Sequence, residues 1–173
     1  MRRRVFLLGI SGLFGIGLGY VGAKLELVER FVQPAVALQP DFGISPGGYG
    51  AQKVIYHITE KGHWRNRDGE ASRLVHVLNN HRRAVEPDDF EAQVLFQGNG
   101  VDLLRRAKKN PVLAAQFDDL RRKGVKFRVC ANTLSAYGMP LESLHNVAKD
   151  DLVFAAVAEI VHLQKEGWGY IRF

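Results

Sequence analysis

The chain has 173 residues, 46% of them hydrophobic, and a formal charge of +6, which suits one globular domain with a core of its own. Its single cysteine excludes an internal disulfide framework and any zinc site built from several thiolates. Three of the 24 basic residues are Arg2, Arg3 and Arg4, so from residue 24 onward 21 bases face 18 acids, an excess too small to mark a nucleic-acid-binding surface.

The basic start is followed by an apolar run from Val5 to Ala23, the pattern of an export signal. Arg3-Arg4-Val5-Phe6-Leu7 resembles the twin-arginine signal, with Arg2 where Ser or Thr is usual and Leu8 where Lys is common. Six glycines between Gly9 and Gly22 keep the run only mildly hydrophobic, which also suits that route. The expected product is periplasmic or otherwise exported. The alternative is an uncleaved anchor facing the periplasm, since 19 residues come close to the roughly 20 that span a bilayer. Residues 24–52 form a lead-in, rich in Pro and Gly from Gln33 onward, and residues 53–173 form the domain proper.

From there the pattern alternates. Val54–Ile58 reads as a strand, and Lys61–Arg67 as a charged loop. Asp68 suits an N-cap, and Ala71, Leu74, Val75 and Leu78 recur at helical spacing up to about Ala84. Pro87-Asp88-Asp89 is a turn, Phe90–Phe96 a second strand, and Gly98-Asn99-Gly100 a turn into a helix from Val101 to about Lys108. Asn110-Pro111 restarts a helix that runs to Arg122, with Gly124 closing it. Val125–Val129 is a third strand, Leu152–Phe154 a short fourth, Ala156–Glu166 a helix closed by Gly167, and Trp168–Ile171 a final strand. Strands alternating with helices predict a three-layer α/β/α sandwich around a mostly parallel five-stranded sheet.

Cys130 ends the third strand, where open α/β sheets place their ligands. A helix N-terminus beside it would lower the thiol pKa. The other reading is an inert core cysteine. Alternation puts Lys126, Arg128 and Cys130 on one face, with Arg128 about 7 Å from Cys130 along the strand. A cation there would favour the thiolate, unless it points to water. The backbone of Gly98, Asn99 and Gly100 offers N–H groups to an anion or makes a plain tight turn. His57, near the end of the first strand, and His63, Trp64, Arg65 and Arg67 beyond it would share the rim with Cys130. A His57–Cys130 pair would make an activated nucleophile; the alternative is a structural histidine beside a solvated basic loop. No metal-ligand spacing is present, and neither a metal nor another cofactor is expected. Asp118-Asp119 and Asp150-Asp151 read as solvated surface pairs.

Several stretches together resemble the DsrE/DsrF-like (YchN-like) family. They are Lys53-Val54-Ile55-Tyr56-His57, Leu78-Asn79-Asn80-His81, Gly98 to Leu104, Leu120 to Thr133, and above all Ala158 to Ile171. The resemblance implies a compact α/β sandwich that forms homo-oligomers, trimers or hexamers. It also implies sulfur transfer or sulfur oxidation, with Cys130 carrying a persulfide between donor and acceptor proteins. Asn132, Thr133 and the Gly98–Gly100 backbone would then donate to the sulfur or to a bound anion. The alternative is a non-catalytic oligomeric binding or scaffold module with a structural cysteine. Two features depart from the resemblance: Gln97 stands where relatives of this subgroup carry His, and an export signal is unusual for a cytoplasmic sulfur relay.

Replacing Arg3 and Arg4 together by Lys is expected to hold the protein in the cytoplasm. Fractionation of cells expressing the full chain measures this, and undiminished export contradicts the twin-arginine assignment.

Overall fold

The computed structural model describes residues 48–60, 67–85 and 89–173, with side chains of the second stretch described from Ser72 onward. The segment read as an export signal, the lead-in as far as Gly47, the loop residues His63, Trp64 and Arg65, and the Pro87-Asp88 pair lie outside them, as do the side chains of Arg67, Asp68 and Ala71.

The elements in chain order are β1 (Gln52–Ile58), α1 (Arg67–Val85), β2 (Phe90–Phe96), α2 (Asp102–Ala107), α3 (Pro111–Arg122), β3 (Lys126–Cys130), α4 (Ala131–Ala136), β4 (Leu152–Val153), α5 (Ala156–Lys165) and β5 (Gly169–Arg172). They build one five-stranded sheet in the order β4-β3-β2-β1-β5, and every pairing is parallel. The fold class is the expected one, with the sheet wholly rather than mostly parallel.

The strand order decides which face each helix covers. From β1 through β2 to β3 the chain steps in one direction, so α1, α2 and α3 cross on the same side. The step from β4 back to β5 runs the other way, so α5 crosses the opposite face. The buried side chains divide accordingly. Val54, Tyr56, Val94, Phe96, Phe127 and Val129 pack against Leu74, Leu78, Leu104, Leu113, Phe117 and Leu120 of the first three helices. Ile55, Leu95 and Cys130 pack against Ala156, Ile160 and Leu163 of α5 and against Trp168. Inner strands covered on both sides are buried at nearly every position, and Val54 to Ile58 are buried without a break.

Local chemistry sets the joints. Asn110 caps α3 by accepting from the N–H groups of Val112 and Leu113 at 3.1 and 3.2 Å, with Pro111 in the first turn. Leu113, Phe117 and Leu120 then fall on one face. The helix expected from Val101 begins as a 3-10 turn over Gly98–Val101, and α proper starts at Asp102. Asp151 and Asp118 are not the solvated residues expected. Asp151 receives both guanidinium nitrogens of Arg121 at 3.0 and 3.2 Å, pinning β4's entry to α3. Asp118 accepts from His145 and Asn146. Among the described residues no helix is long and apolar enough to cross a membrane.

Gly100 is the tightest backbone contact. A Cβ there would overlap the backbone carbonyl of Ile58, where the turn after β2 folds back over the end of β1. Gly100→Ala is expected to destabilise the fold by roughly 2–3 kcal/mol through forced backbone displacement. Chemical denaturation measures it; a loss of less than half a kcal/mol would contradict the tight crossing.

Candidate functional site

Cys130 is the last residue of β3 and the N-cap residue of α4. Its neighbour in register on β4 is Val153, and α5 begins at Ala156, three residues later. Two helix N-termini therefore meet at one sulfur. The Ala156 N–H points at Sγ from 3.5 Å. Sγ forms no strict capping hydrogen bond within α4, yet the amides of Thr133 and Asn132 and the Thr133 side chain all act on its charge. Burial pushes the thiol pKa up, and these donors, Ala156 foremost, outweigh it, so the thiol sits below its ordinary value. Only 3% of Cys130 is exposed. An open, accessible thiol is thus not what this chain presents: α5 and the β4 edge cover it.

Thr133 connects the cysteine to the turn after β2. Its Oγ1 accepts the Gly98 N–H at 3.1 Å, while the same side chain helps to lower the thiol pKa. Of the amides expected to cradle an anion over Gly98 to Gly100, two have partners within the protein, as the alternative of a plain tight turn has it. The Gly98 amide is given to Thr133, and the Gly100 amide to the carbonyls of Thr59 and Gln97 at 3.1 and 3.0 Å. Asn99 is exposed on the turn. Asn132 is exposed too, and its N–H also approaches the Phe154 carbonyl at 3.3 Å, which ties α4 to the start of α5.

Arg128 shares the face of Cys130 but not its task. Its guanidinium bonds Gln93 at 3.3 Å and the Asp150 carbonyl at 2.7 Å, and it is not among the groups that lower the thiol pKa. A nearer acceptor on the neighbouring strand captured the cation. His57 also lies on this face, buried to 7% exposure. It is two strands over and two residues back from Cys130, about 12 Å Cα to Cα by sheet spacing. The expected His57–Cys130 pair does not form. The ring is held instead by the Tyr170 hydroxyl at Nδ1 and by Gln97 Oε1 at Nε2, both at 2.8 Å. Burial first, and then the Arg172 charge, lower the His57 pKa against the opposing hydrogen bond from Gln97, which leaves the ring neutral near pH 7.

Gln97 and Tyr170 are the residues that sequence reasoning missed as parts of the site. Gln97 was visible as a departure from the family pattern. Tyr170 carried no signal, because its place beside His57 comes only from the parallel pairing of β1 with β5, in which Ile55 lies opposite Tyr170 and His57 opposite Arg172. Among the described residues no cluster of three His, Cys, Asp or Glu side chains could hold a metal ion.

Fold and site together define a parallel α/β sandwich with one shielded thiol, its pKa lowered by backbone amides, at the carboxyl edge of its sheet. The chain belongs to the DsrE/DsrF-like family, whose pattern it matches over residues 52–173. It is similar in structure to a protein of unknown function from Methanobacterium thermoautotrophicum, with 30% identity and a TM-score of 0.57 over 70% of this chain and 99% of that one. No curated protein matches the chain.

Thr133→Val keeps the side-chain volume and removes the hydroxyl. It is expected to raise the thiol pKa and to cost about 1–3 kcal/mol, because the Gly98 N–H loses its acceptor. The pH dependence of Cys130 alkylation and a denaturation curve read the two effects. An unmoved titration would remove Thr133 from the thiolate's donors.

Proposed function

We propose that this protein is an exported sulfur carrier that holds sulfane sulfur on Cys130. The observation that carries the reading is the convergence of the Ala156, Thr133 and Asn132 amides and the Thr133 side chain on a single sulfur, lowering its pKa despite burial. The Cys130 thiolate attacks the outer sulfur of a donor persulfide, the donor's S–S bond breaks, and the donor leaves as a thiolate. Cys130 then bears the persulfide. An acceptor thiolate attacks that outer sulfur, takes it, and restores the Cys130 thiolate. No electrons are gained or lost overall, and the amides that stabilise the thiolate suit a persulfide anion equally. Donor and acceptor are thiol proteins of the same compartment. The membrane is reached only through the N-terminal segment, where that segment is retained.

The carrier works as a homo-oligomer, a trimer or hexamer. The support comes from Val157 and Val161, one turn apart on α5 and 60% and 52% exposed, and from Phe154 at 82%.

Burial of Cys130 to 3% exposure favours a second reading, a non-catalytic oligomeric binding module with a structural cysteine. Native and denaturing mass spectrometry of the full chain separates the two. The carrier gains one sulfur per chain from a persulfide donor, Cys130→Ser gains none, and the native mass gives three or six subunits. Wild type that takes no sulfur, with Cys130 unreactive to alkylation until unfolded, makes the binding module the function. A monomer at micromolar concentration contradicts the oligomer.

A further inference from the structure

The Ala156 N–H meets the Cys130 sulfur only if α5 starts in the right place. The chain reaches α5 through a 3-10 turn over Lys149–Asp151, then β4, then Phe154 and Ala155. β4 is the shortest strand of the sheet, paired through Leu152 with Val129 and through Val153 with Cys130. Phe154 is exposed and lies outside both core clusters. Near the sulfur the segment is tied by the Asn132 N–H at the Phe154 carbonyl, 3.3 Å away, and by the Ala156 N–H at Sγ, 3.5 Å away.

The firmer hold lies before β4. Asp151 ends the 3-10 turn, and its carboxylate closes that turn by accepting the Ala148 N–H at 2.9 Å. The same carboxylate takes both ends of the Arg121 guanidinium, at 3.0 and 3.2 Å. A planar fork on a carboxylate fixes direction as well as distance. Arg121 is itself fixed, in the last turn of α3 and with its guanidinium over the Phe127 ring of β3, 4.6 Å from the centroid. Arg128 adds one bond, to the Asp150 carbonyl at 2.7 Å. Both members of the Arg121–Asp151 pair are partly buried, so water screens it less than it screens a surface pair. On the other side of the segment Ala156, Ile160 and Leu163 press α5 onto the sheet. Apolar packing is non-directional, and it constrains the helix along its own axis less than a forked ion pair does.

We propose that Arg121 and Asp151 are positioning residues for Cys130: their ion pair fixes the entry to β4, and through β4 it sets the approach of the Ala156 N–H to Sγ. Neither side chain acts on the sulfur directly. Ala156 lies five residues beyond Asp151, and Val153 between them is the register partner of Cys130 itself. A shift at Asp151 is therefore passed both to the strand beside the thiol and to the amide above it. Without the pair the turn swings outward, the Ala156 amide withdraws, and the buried thiol loses its foremost donor. The action on the free thiol stands apart from the carrier reading, whereas its consequence for sulfur uptake rests on that reading.

The test uses the full chain, whose single cysteine gives one thiolate signal. Ultraviolet absorbance of the thiolate against pH, with Cys130→Ser as the blank, reads a buried thiol as well as an open one. Its midpoint is expected to rise by about 0.5–1 pH in Arg121→Gln and in Asp151→Asn, where Asn keeps an acceptor for the Ala148 N–H. The double variant should match the single ones, because the two residues act as one pair. Arg122→Gln is the control: Arg122 stands next on α3 and pairs with Asp119 of the same helix, so its midpoint should match the wild type. An unmoved midpoint in both pair variants, additive shifts in the double variant, or an equal shift in Arg122→Gln each overturn the proposal. Sulfur uptake from a persulfide donor near neutral pH is expected to slow about threefold in either pair variant, following the smaller thiolate fraction. If the midpoint moves and the wild type takes up no sulfur, the carrier reading fails and the positioning pair stands. If the wild type takes up sulfur and neither variant moves the midpoint, the carrier stands and the pair has no part in positioning.

Discussion

Because Val153 pairs with Cys130, the chain must start α5 within three residues of the sulfur, beside the point where α4 also starts. That crowding governs the rest of the site. It brings unpaired helix-terminal N–H groups to a buried atom that would otherwise have no reason to ionise. It also sends the chain back across the sheet, so that one helix covers the second face and delivers β5 to the far edge. Arg121 and Asp151 hold the entry to β4, and so stabilise the junction from outside.

The thiol's environment is a contest between two effects of the same burial. Removing water disfavours the thiolate, yet it also strengthens each N–H that points at the sulfur. Four donor groups, one of them the Thr133 side chain, tip the balance toward the anion. Arg128 takes no part, although it is the nearest cation along the strand, because Gln93 and the Asp150 carbonyl satisfy its donors first. Fixed dipoles rather than a mobile charge set the chemistry. A site of that kind depends on the start of α5 staying in place, which makes Ala156 and the residues leading into it as much a part of the site as the cysteine.

Tyr, His and Gln meet twice in this domain. On the other face of the sheet the Tyr56 hydroxyl lies 2.7 Å from His81 Nδ1, and Gln52 Oε1 lies 2.6 Å from His81 Nε2. That cluster joins α1 to β1, and Tyr56 is fully buried, its pKa pushed up to about 12 by desolvation. The His57 cluster joins β5 and β1 to the residue that follows β2, at the carboxyl edge. The same three side chains thus clamp a helix to a strand in one place and span the edge beside a thiol in the other.

Read alone, the sequence determined the alternation of strands and helices, the helix start at Asn110-Pro111 and its stop at Gly124, and the place of Cys130 at the junction of β3 and α4. Each of these rests on interactions within a few residues. Periodicity also placed Cys130 opposite Phe127 and Val129, as the two core clusters have it. What lay out of reach was everything set by strand order. Whether Gly98 offers its amide to an anion or to Thr133, whether His57 finds Cys130 or Tyr170, and whether Trp168 is exposed or covered by α5 all depend on partners far apart in sequence. Tertiary structure decided these because a hydrogen-bonding group takes the acceptor nearest in space, and that neighbour is chosen by sheet order and register rather than by local sequence.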